Sequence, residues 1–163
     1  MKFAGTAVRT LCVVLLAAVP CLPSRPDPAA DLRRLELQVH HAVNQERIRR
    51  KLPRLEWSDS MAVEARRHAG NMARYRFFAH ADPRRGDIDE RLDRSGIQWR
   101  RCAENLYEQK GDRNNLVPLA VKAWLNSPGH RRNMLDSFFT HAGVGTAVRK
   151  DGTVLLVQNF VSK

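Results

Sequence analysis

A continuously apolar segment near the end of the chain constrains the fold more than any other sequence feature. Residues 154–157 are Val-Leu-Leu-Val and lack the apolar/polar alternation of a strand with one face in water. Such a strand is expected to be buried on both faces, which requires helices on each side of its sheet. Lys150-Asp151-Gly152 has the residue types of a hairpin turn, so the preceding segment is predicted to pair with it.

Segments with helical periodicity can supply both layers. They are 31–51, 58–75, 88–93 and 114–126. Asp31 is a candidate cap for the first helix, and Ser127-Pro128-Gly129 is predicted to end the last one before a further short helix. A brief extended piece is expected at 106–108. The pattern predicts an α+β fold, a three-layer α-β-α sandwich with a small antiparallel sheet between helices.

The N-terminus has the pattern of a secretory signal. Lys2 and Arg9 are followed within the leader by an apolar run at 11–19 and then by several prolines. The run is shorter than the roughly 20 residues that cross a bilayer. We therefore predict a signal segment and Pro-rich leader at 1–30, followed by one domain at 31–163.

This leader predicts secretion or residence in the cell envelope. An uncleaved anchor stays open, and so does lipidation at Cys21, although Pro20 just before that cysteine argues against it. Cleavage would leave Cys102 as the remaining thiol. Cys102 is either a small buried residue, which we favour, or a nucleophile or soft metal ligand.

The charge of the chain is strongly positive. Lysine and arginine number 28 against 17 acidic residues, a formal net charge of +11. An envelope protein with this balance is attracted to anionic surfaces, so a lipid or cell-wall ligand is expected as partner. The arginines occur as scattered pairs without a specific nucleic-acid-binding motif. Oligomeric state is not predicted.

Three polar motifs stand in order along the helical scaffold. They are Phe77-Phe78-Ala79-His80, Ala103-Glu104-Asn105-Leu106, and the stretch from Trp124 to Leu135 that contains His130. Neutral imidazole and carboxylate are ligands that a borderline divalent metal prefers. These residues therefore predict a site that forms only on folding.

The chain resembles the CAP superfamily of cysteine-rich secretory, antigen 5 and pathogenesis-related proteins, an SCP-like extracellular domain in its compact bacterial form. The resemblance runs from about Leu35 to Phe160. Its motifs are Asn44-Gln45-Glu46-Arg47, Leu55-Glu56-Trp57, Phe78-Ala79-His80, Glu104-Asn105, 124–135, Gly143-Val144-Gly145 and Val157-Gln158-Asn159-Phe160. The resemblance implies the same α-β-α sandwich and a cleft with two histidines and two acids.

Carried over by motif, His80 and His130 match the two cleft histidines, and Glu104 matches the first acid. Ser127 stands where the second acid is expected. The resemblance thus implies a cleft of His80, Glu104, Ser127 and His130, with His80 and His130 as ligands of a divalent metal, zinc first. Loss of one carboxylate is expected to weaken the metal site.

Each position also has a structural interpretation. His80 could lie at a helix end, and Glu104 could pair with a nearby arginine. Ser127 is expected to cap the short helix. Asn105 is expected to bond loop backbone.

Two functions follow. We favour a secreted module that binds a lipid, cell-wall or partner-protein ligand and is not an enzyme. The alternative is a metal-assisted hydrolase or peptidase, with His80 and His130 holding zinc and Glu104 as the candidate catalytic base. The alternative is short of ligands, because catalytic zinc usually takes three from the protein.

Overall fold

The structure is a computed structural model that describes residue 1 and residues 27–162. Most of the predicted signal segment, with Cys12 and Cys21, lies outside the described residues. No helix of the described part is long and apolar enough to cross a bilayer. The elements in chain order are α1 (Pro28–Arg49), β1 (Glu56–Trp57), α2 (Asp59–Tyr75), α3 (Ile88–Arg94), β2 (Arg101–Gln109), α4 (Leu116–Asn126), α5 (Pro128–Leu135), β3 (His141–Val148) and β4 (Val154–Ser162).

The four strands form one sheet in the order β1-β3-β4-β2. The predicted hairpin is confirmed, since β3 and β4 are antiparallel and pair from Val148↔Val154 to His141↔Val161. β1 was not predicted. It adds a parallel pair to β3 at the sheet edge, so the sheet is mixed. The extended piece expected at 106–108 is part of β2, which is longer because it pairs with β4 over its whole length.

β4 is buried along all nine residues, as its apolar sequence predicted. Side chains alternate between two faces. Leu156 and Phe160 pack in a cluster with α1, α4 and α5, whereas Leu155 and Val157 pack against α2. The three-layer α-β-α architecture is therefore confirmed.

The first helix begins earlier than predicted. Asp27 accepts a hydrogen bond from the Ala29 N–H at 3.0 Å, and Pro28 occupies the first helical position. Proline there is favourable because its fixed φ suits the helix and its missing N–H is not needed. Asp31, the predicted cap, lies within the first turn instead.

A buried arginine joins the end of α1 to the segment after α5. Arg47 is fully buried and donates to the carbonyls of Pro53, Met134 and Asp136 at 2.8–2.9 Å. A fourth hydrogen bond reaches the carbonyl of Phe139 at 3.3 Å. These bonds satisfy a charge that would otherwise be costly to bury, and they fix where α5 ends.

Two glycines let α2 lie directly on β3. A Cβ at Gly145 would lie 2.0 Å from the backbone nitrogen of Arg66, and one at Gly143 would lie 2.2 Å from that of Ala62. Neither obstacle is a flexible side chain, so the helix itself would have to move.

Gly145→Ala should therefore lower the free energy of unfolding by at least about 2 kcal/mol, because the methyl group would force α2 away from the sheet. Chemical denaturation monitored by circular dichroism would measure this. The matched control is Gly70→Ala within α2, where a Cβ meets nothing within 4 Å. That change should stabilise the protein by about 0.5–1 kcal/mol. Equal stability of the two variants would contradict the proposed close approach.

Candidate functional site

The candidate site lies along β2, a strand at the edge of the sheet. Glu104 and Asn105 are consecutive on this strand, so their side chains point to opposite faces. Glu104 contacts residues from the α2–α3 side, and Asn105 contacts α5 on the other side. The two layers of helices thus meet around this edge.

The Glu104 carboxylate is the centre of the site. Its side chain is only 2 % exposed. One oxygen, Oε2, accepts a hydrogen bond from the Arg91 guanidinium, and the other, Oε1, accepts one from Nδ1–H of His80 at 2.9 Å. The expectation that Glu104 could pair with an arginine is confirmed, and the same carboxylate holds His80.

Arg91 connects this carboxylate to the loop before α3. Its side chain is fully buried, and it donates to the backbone carbonyl of His80 at 2.6 Å. The start of α3 is fixed by Glu90, whose carboxylate accepts the N–H of Asp87 at 3.0 Å. Arg91 therefore positions both the acid and the backbone of the first histidine.

Side-chain amides on the α5 side of β2 hold His130 in position. Asn105 donates to the His130 carbonyl at 3.0 Å, which confirms that its amide bonds backbone, although this backbone belongs to α5 and not to a loop. Asn133, one turn further along α5, donates to the Asn105 side-chain oxygen at 3.0 Å and to the Glu104 carbonyl at 3.2 Å. This network holds the start of α5 against β2.

The structure brings His80 and His130 together from separate elements. Their ring centroids are 6.1 Å apart. The hydrogen bond that His80 donates to Glu104 raises the pKa of His80, whereas burial, with a smaller contribution from nearby His80, lowers the pKa of His130. The two imidazoles therefore differ in charge over a range of pH near neutrality.

Ser127 lies between α4 and α5. It occupies the predicted N-cap position of α5, and its carbonyl accepts the Arg131 N–H at 2.8 Å. Its side chain makes no capping hydrogen bond within the described residues. The helix begins there because Pro128 suits the first helical position, so the side-chain part of the capping prediction is wrong.

Sequence reasoning missed a buried histidine beneath the site. His68 of α2 is fully buried, and its Nε2–H donates to the Ala79 carbonyl at 3.0 Å. Its other nitrogen is 3.6 Å from Asp82, and Glu104 is 3.9 Å from Nε2. Burial lowers the pKa of His68. Its place on the apolar face of α2 was visible in the sequence, but its contact with the loop before His80 was not.

The other candidates have structural positions. Cys102 is a free, half-buried residue on β2, and burial raises the pKa of its thiol to about 11. The thiol is therefore protonated near neutral pH, which argues against a nucleophile. His141 begins β3 and lies 3.3 Å from the Glu56 carboxylate.

Two imidazole nitrogens are the metal donors that the site offers. Within residues 27–162, no group of three or more His, Cys, Asp or Glu side chains is arranged to hold a metal ion. Both oxygens of Glu104 are already engaged. Because the Nδ1–H of His80 faces Glu104, its Nε2 carries the lone pair in the neutral ring.

Comparison with known proteins agrees with this fold and its motifs. The model of the cysteine-rich secretory protein family, CAP, matches residues 40–160. Two Bacillus subtilis proteins match over 128 residues, or 78% of this chain: "Uncharacterized membrane protein YlbC" at 34% identity and "Uncharacterized protein YkwD" at 32%. These matches cover 34% and 47% of the two relatives.

A solved structure gives the same result. The extracellular protein containing a SCP domain from Bacillus anthracis is 32% identical with a TM-score of 0.70, covering 86% of this chain and 45% of that one. This chain thus spans about a third to a half of the length of these relatives. The family match covers His80, Glu104, His130 and most of the β3–β4 hairpin. The chain belongs to the cysteine-rich secretory protein (CAP) family, as its motifs predicted.

Proposed function

We propose that this chain is an exported CAP-domain binding module whose cleft of His80, Glu104 and His130 holds a divalent metal, most readily zinc. The observation that carries the proposal is the 2.9 Å hydrogen bond from His80 to Glu104, with His130 beside it. A carboxylate bonded to one imidazole nitrogen fixes the ring and leaves its other nitrogen to a metal.

The spacing of the two imidazoles fits a shared ion. Zinc–nitrogen bonds of about 2.0–2.1 Å place the centroids of two bound imidazoles on the order of 5–6 Å apart. The observed 6.1 Å therefore requires only a small adjustment. A bound zinc ion would supply a positive centre able to bind oxygen donors of a ligand. With Ser127 in place of a second acid, two protein ligands would hold the ion weakly.

The geometry favours binding over hydrolysis. A general base needs a free lone pair within reach of the proton it accepts. Glu104 is buried, and its oxygens are bonded to His80 and Arg91. The hydrolase hypothesis would require a substrate proton to reach this buried carboxylate beside the two donors that it already holds. A module that orients a weak metal site requires no such access.

Export is supported by two lines of evidence. The sequence predicts a signal segment, and the Bacillus anthracis relative is described as extracellular, while YlbC is described as a membrane protein. The full sequence carries a formal net charge of +11, so the ligands we propose for the exported module are a lipid, a cell-wall polymer or a partner protein that carries negative charge.

Replacement of both cleft histidines should abolish zinc binding. Isothermal titration calorimetry of the purified protein should show saturable binding at one site, and His80→Ala/His130→Ala should remove it because the two donors are lost. The matched control is His41→Ala/His141→Ala, which also removes two imidazoles but leaves the cleft intact. Zinc binding that is equal in both double variants would contradict the assigned site. Hydrolysis of a peptide or ester library that is lost in a folded His130→Ala variant would instead contradict the preference for a binding module over a hydrolase.

Zinc affinity should depend on the protonation of His80. Its raised pKa means that acidification protonates this donor first, so affinity should begin to fall at a pH above the ordinary imidazole value of 6.5. Glu104→Gln removes the negative charge, which should lower the pKa of His80 and move the loss of zinc binding to lower pH.

Histidine NMR titration of the zinc-free protein would measure these pKa values directly. His40 of α1 serves as the internal control, because burial and, to a smaller extent, His41 lower its pKa, and neither Glu104 nor His80 contributes. A His80 pKa that does not change in Glu104→Gln would show that the hydrogen bond does not govern its protonation.

A further inference from the structure

A second concave surface lies at the C-terminal end of α2, where the helix meets the β3–β4 turn. It encloses about 570 Å³ and is lined by Gly70, Ala73, Arg74, Arg76, Arg149 and Lys150, with Ala147 and Val148. None of these residues belongs to the His80/Glu104/His130 cleft. We call this surface the basic depression.

The charged groups of the basic depression are all cations. Arg74 and Arg76 come from the end of α2, and Arg149 and Lys150 come from the turn after β3. Within residues 27–162, the only ion pair of these four joins Arg149 to Glu108 at 3.5 Å. Three positive charges therefore lack a carboxylate partner there.

Helix electrostatics explain part of this arrangement. A cation in the last turn of a helix is favoured by the negative end of its dipole, which accounts for Arg74. The same argument does not extend to Arg149 and Lys150, which belong to a different element. Like charges that converge from two elements raise the free energy of the unliganded protein, so an anion between them would be favourable.

Arg149 is held in place by other residues, and part of its guanidinium makes no hydrogen bond within the described residues. Its side chain is 19 % exposed, and one terminal nitrogen donates to the Phe77 carbonyl at 3.3 Å. Its Nε is buried and has no hydrogen-bond partner within the described part of the chain. Because Arg149 lines the depression and its side chain is partly exposed, its guanidinium is available to an oxyanion bound there.

Gly70 keeps the floor of the depression open. It lies within α2, and a Cβ at this position would meet nothing within 4 Å. A side chain here would therefore project into free space above the helix. This position allows the depression to be filled without disturbing the packing of α2.

We propose that the basic depression binds a phosphate-ester oxyanion. Arginine guanidinium groups bind phosphate oxygens in pairs, and lysine adds a point charge. The volume suits one phosphorylated group rather than an extended polymer surface. The phosphate could belong to a lipid headgroup or to a soluble phosphate ester. This inference goes beyond the proposed function and does not depend on zinc.

The test uses linear tripolyphosphate as probe, with the full-length protein in EDTA so that the metal site takes no part. Calorimetry should show saturable binding, and Arg74→Ala/Arg76→Ala should weaken it about tenfold or more. The matched control is Lys51→Ala/Arg54→Ala, an exposed pair elsewhere that causes the same loss of net charge. It should weaken binding by less than about twofold.

A second variant keeps every cation. Gly70→Glu places a carboxylate in the depression and should also weaken tripolyphosphate binding about tenfold or more. Vesicles of phosphatidylcholine with and without phosphatidic acid show whether the phosphate belongs to a lipid headgroup or to a soluble ester. Binding to phosphatidic acid vesicles as well as to tripolyphosphate would assign a lipid headgroup, and binding to tripolyphosphate alone would assign a soluble ester.

Two outcomes would overturn the proposal. One is that the unaltered protein shows no saturable tripolyphosphate binding. The other is that Arg74→Ala/Arg76→Ala and Lys51→Ala/Arg54→Ala weaken this binding equally. Zinc titration of Arg74→Ala/Arg76→Ala keeps this result separate from the cleft, since its zinc affinity should be unchanged.

Discussion

Burial of β4 on both faces is the constraint on which the remaining architecture depends. All nine residues of this strand are inside the protein, so each face of the sheet needs its own layer of helices. The layer on one face can approach closely because Gly143 and Gly145 leave the surface of β3 flat against α2. The other face is covered by α1, α4 and α5. β2 then lies at the edge of the sheet, where residues from both layers can meet.

The buried pair of Arg91 and Glu104 organises the candidate site at this edge of the sheet. Removing a carboxylate and a guanidinium from water is expensive, and the cost is offset only when both are well hydrogen-bonded. Here Arg91 bonds Glu104 and the His80 carbonyl, and Glu104 bonds the His80 ring. Removing one partner of such a buried pair lowers the free energy of unfolding by about 3–5 kcal/mol. The same contacts that satisfy the buried charges therefore orient the imidazole.

The segment after α2 connects two surfaces of different chemistry. Arg76 lines the basic depression and His80 bonds Glu104, and Arg149 holds the chain between them through the Phe77 carbonyl. One surface presents imidazole nitrogens, whereas the other presents positive charge.

Local patterns were sufficient for most of the elements and for the family. The unbroken apolar run of β4 required two helical layers, Lys150-Asp151-Gly152 gave the hairpin, and the ordered motifs around His80, Glu104 and His130 identified the CAP family. Asn105 was correctly placed as a structural residue, since its amide bonds the backbone of His130. These features depend on residue type and short-range spacing, which can be seen along the chain.

The contacts that make the site needed the folded chain. Arg91 and His68 carried no motif, yet Arg91 binds Glu104 and His68 supports the loop before His80. The two-residue strand β1 exists only because β3 lies beside it. Such features depend on which elements become neighbours and at what distance. Sequence spacing cannot show this, because a residue's partners are chosen by the packing of helices on the two faces of the sheet.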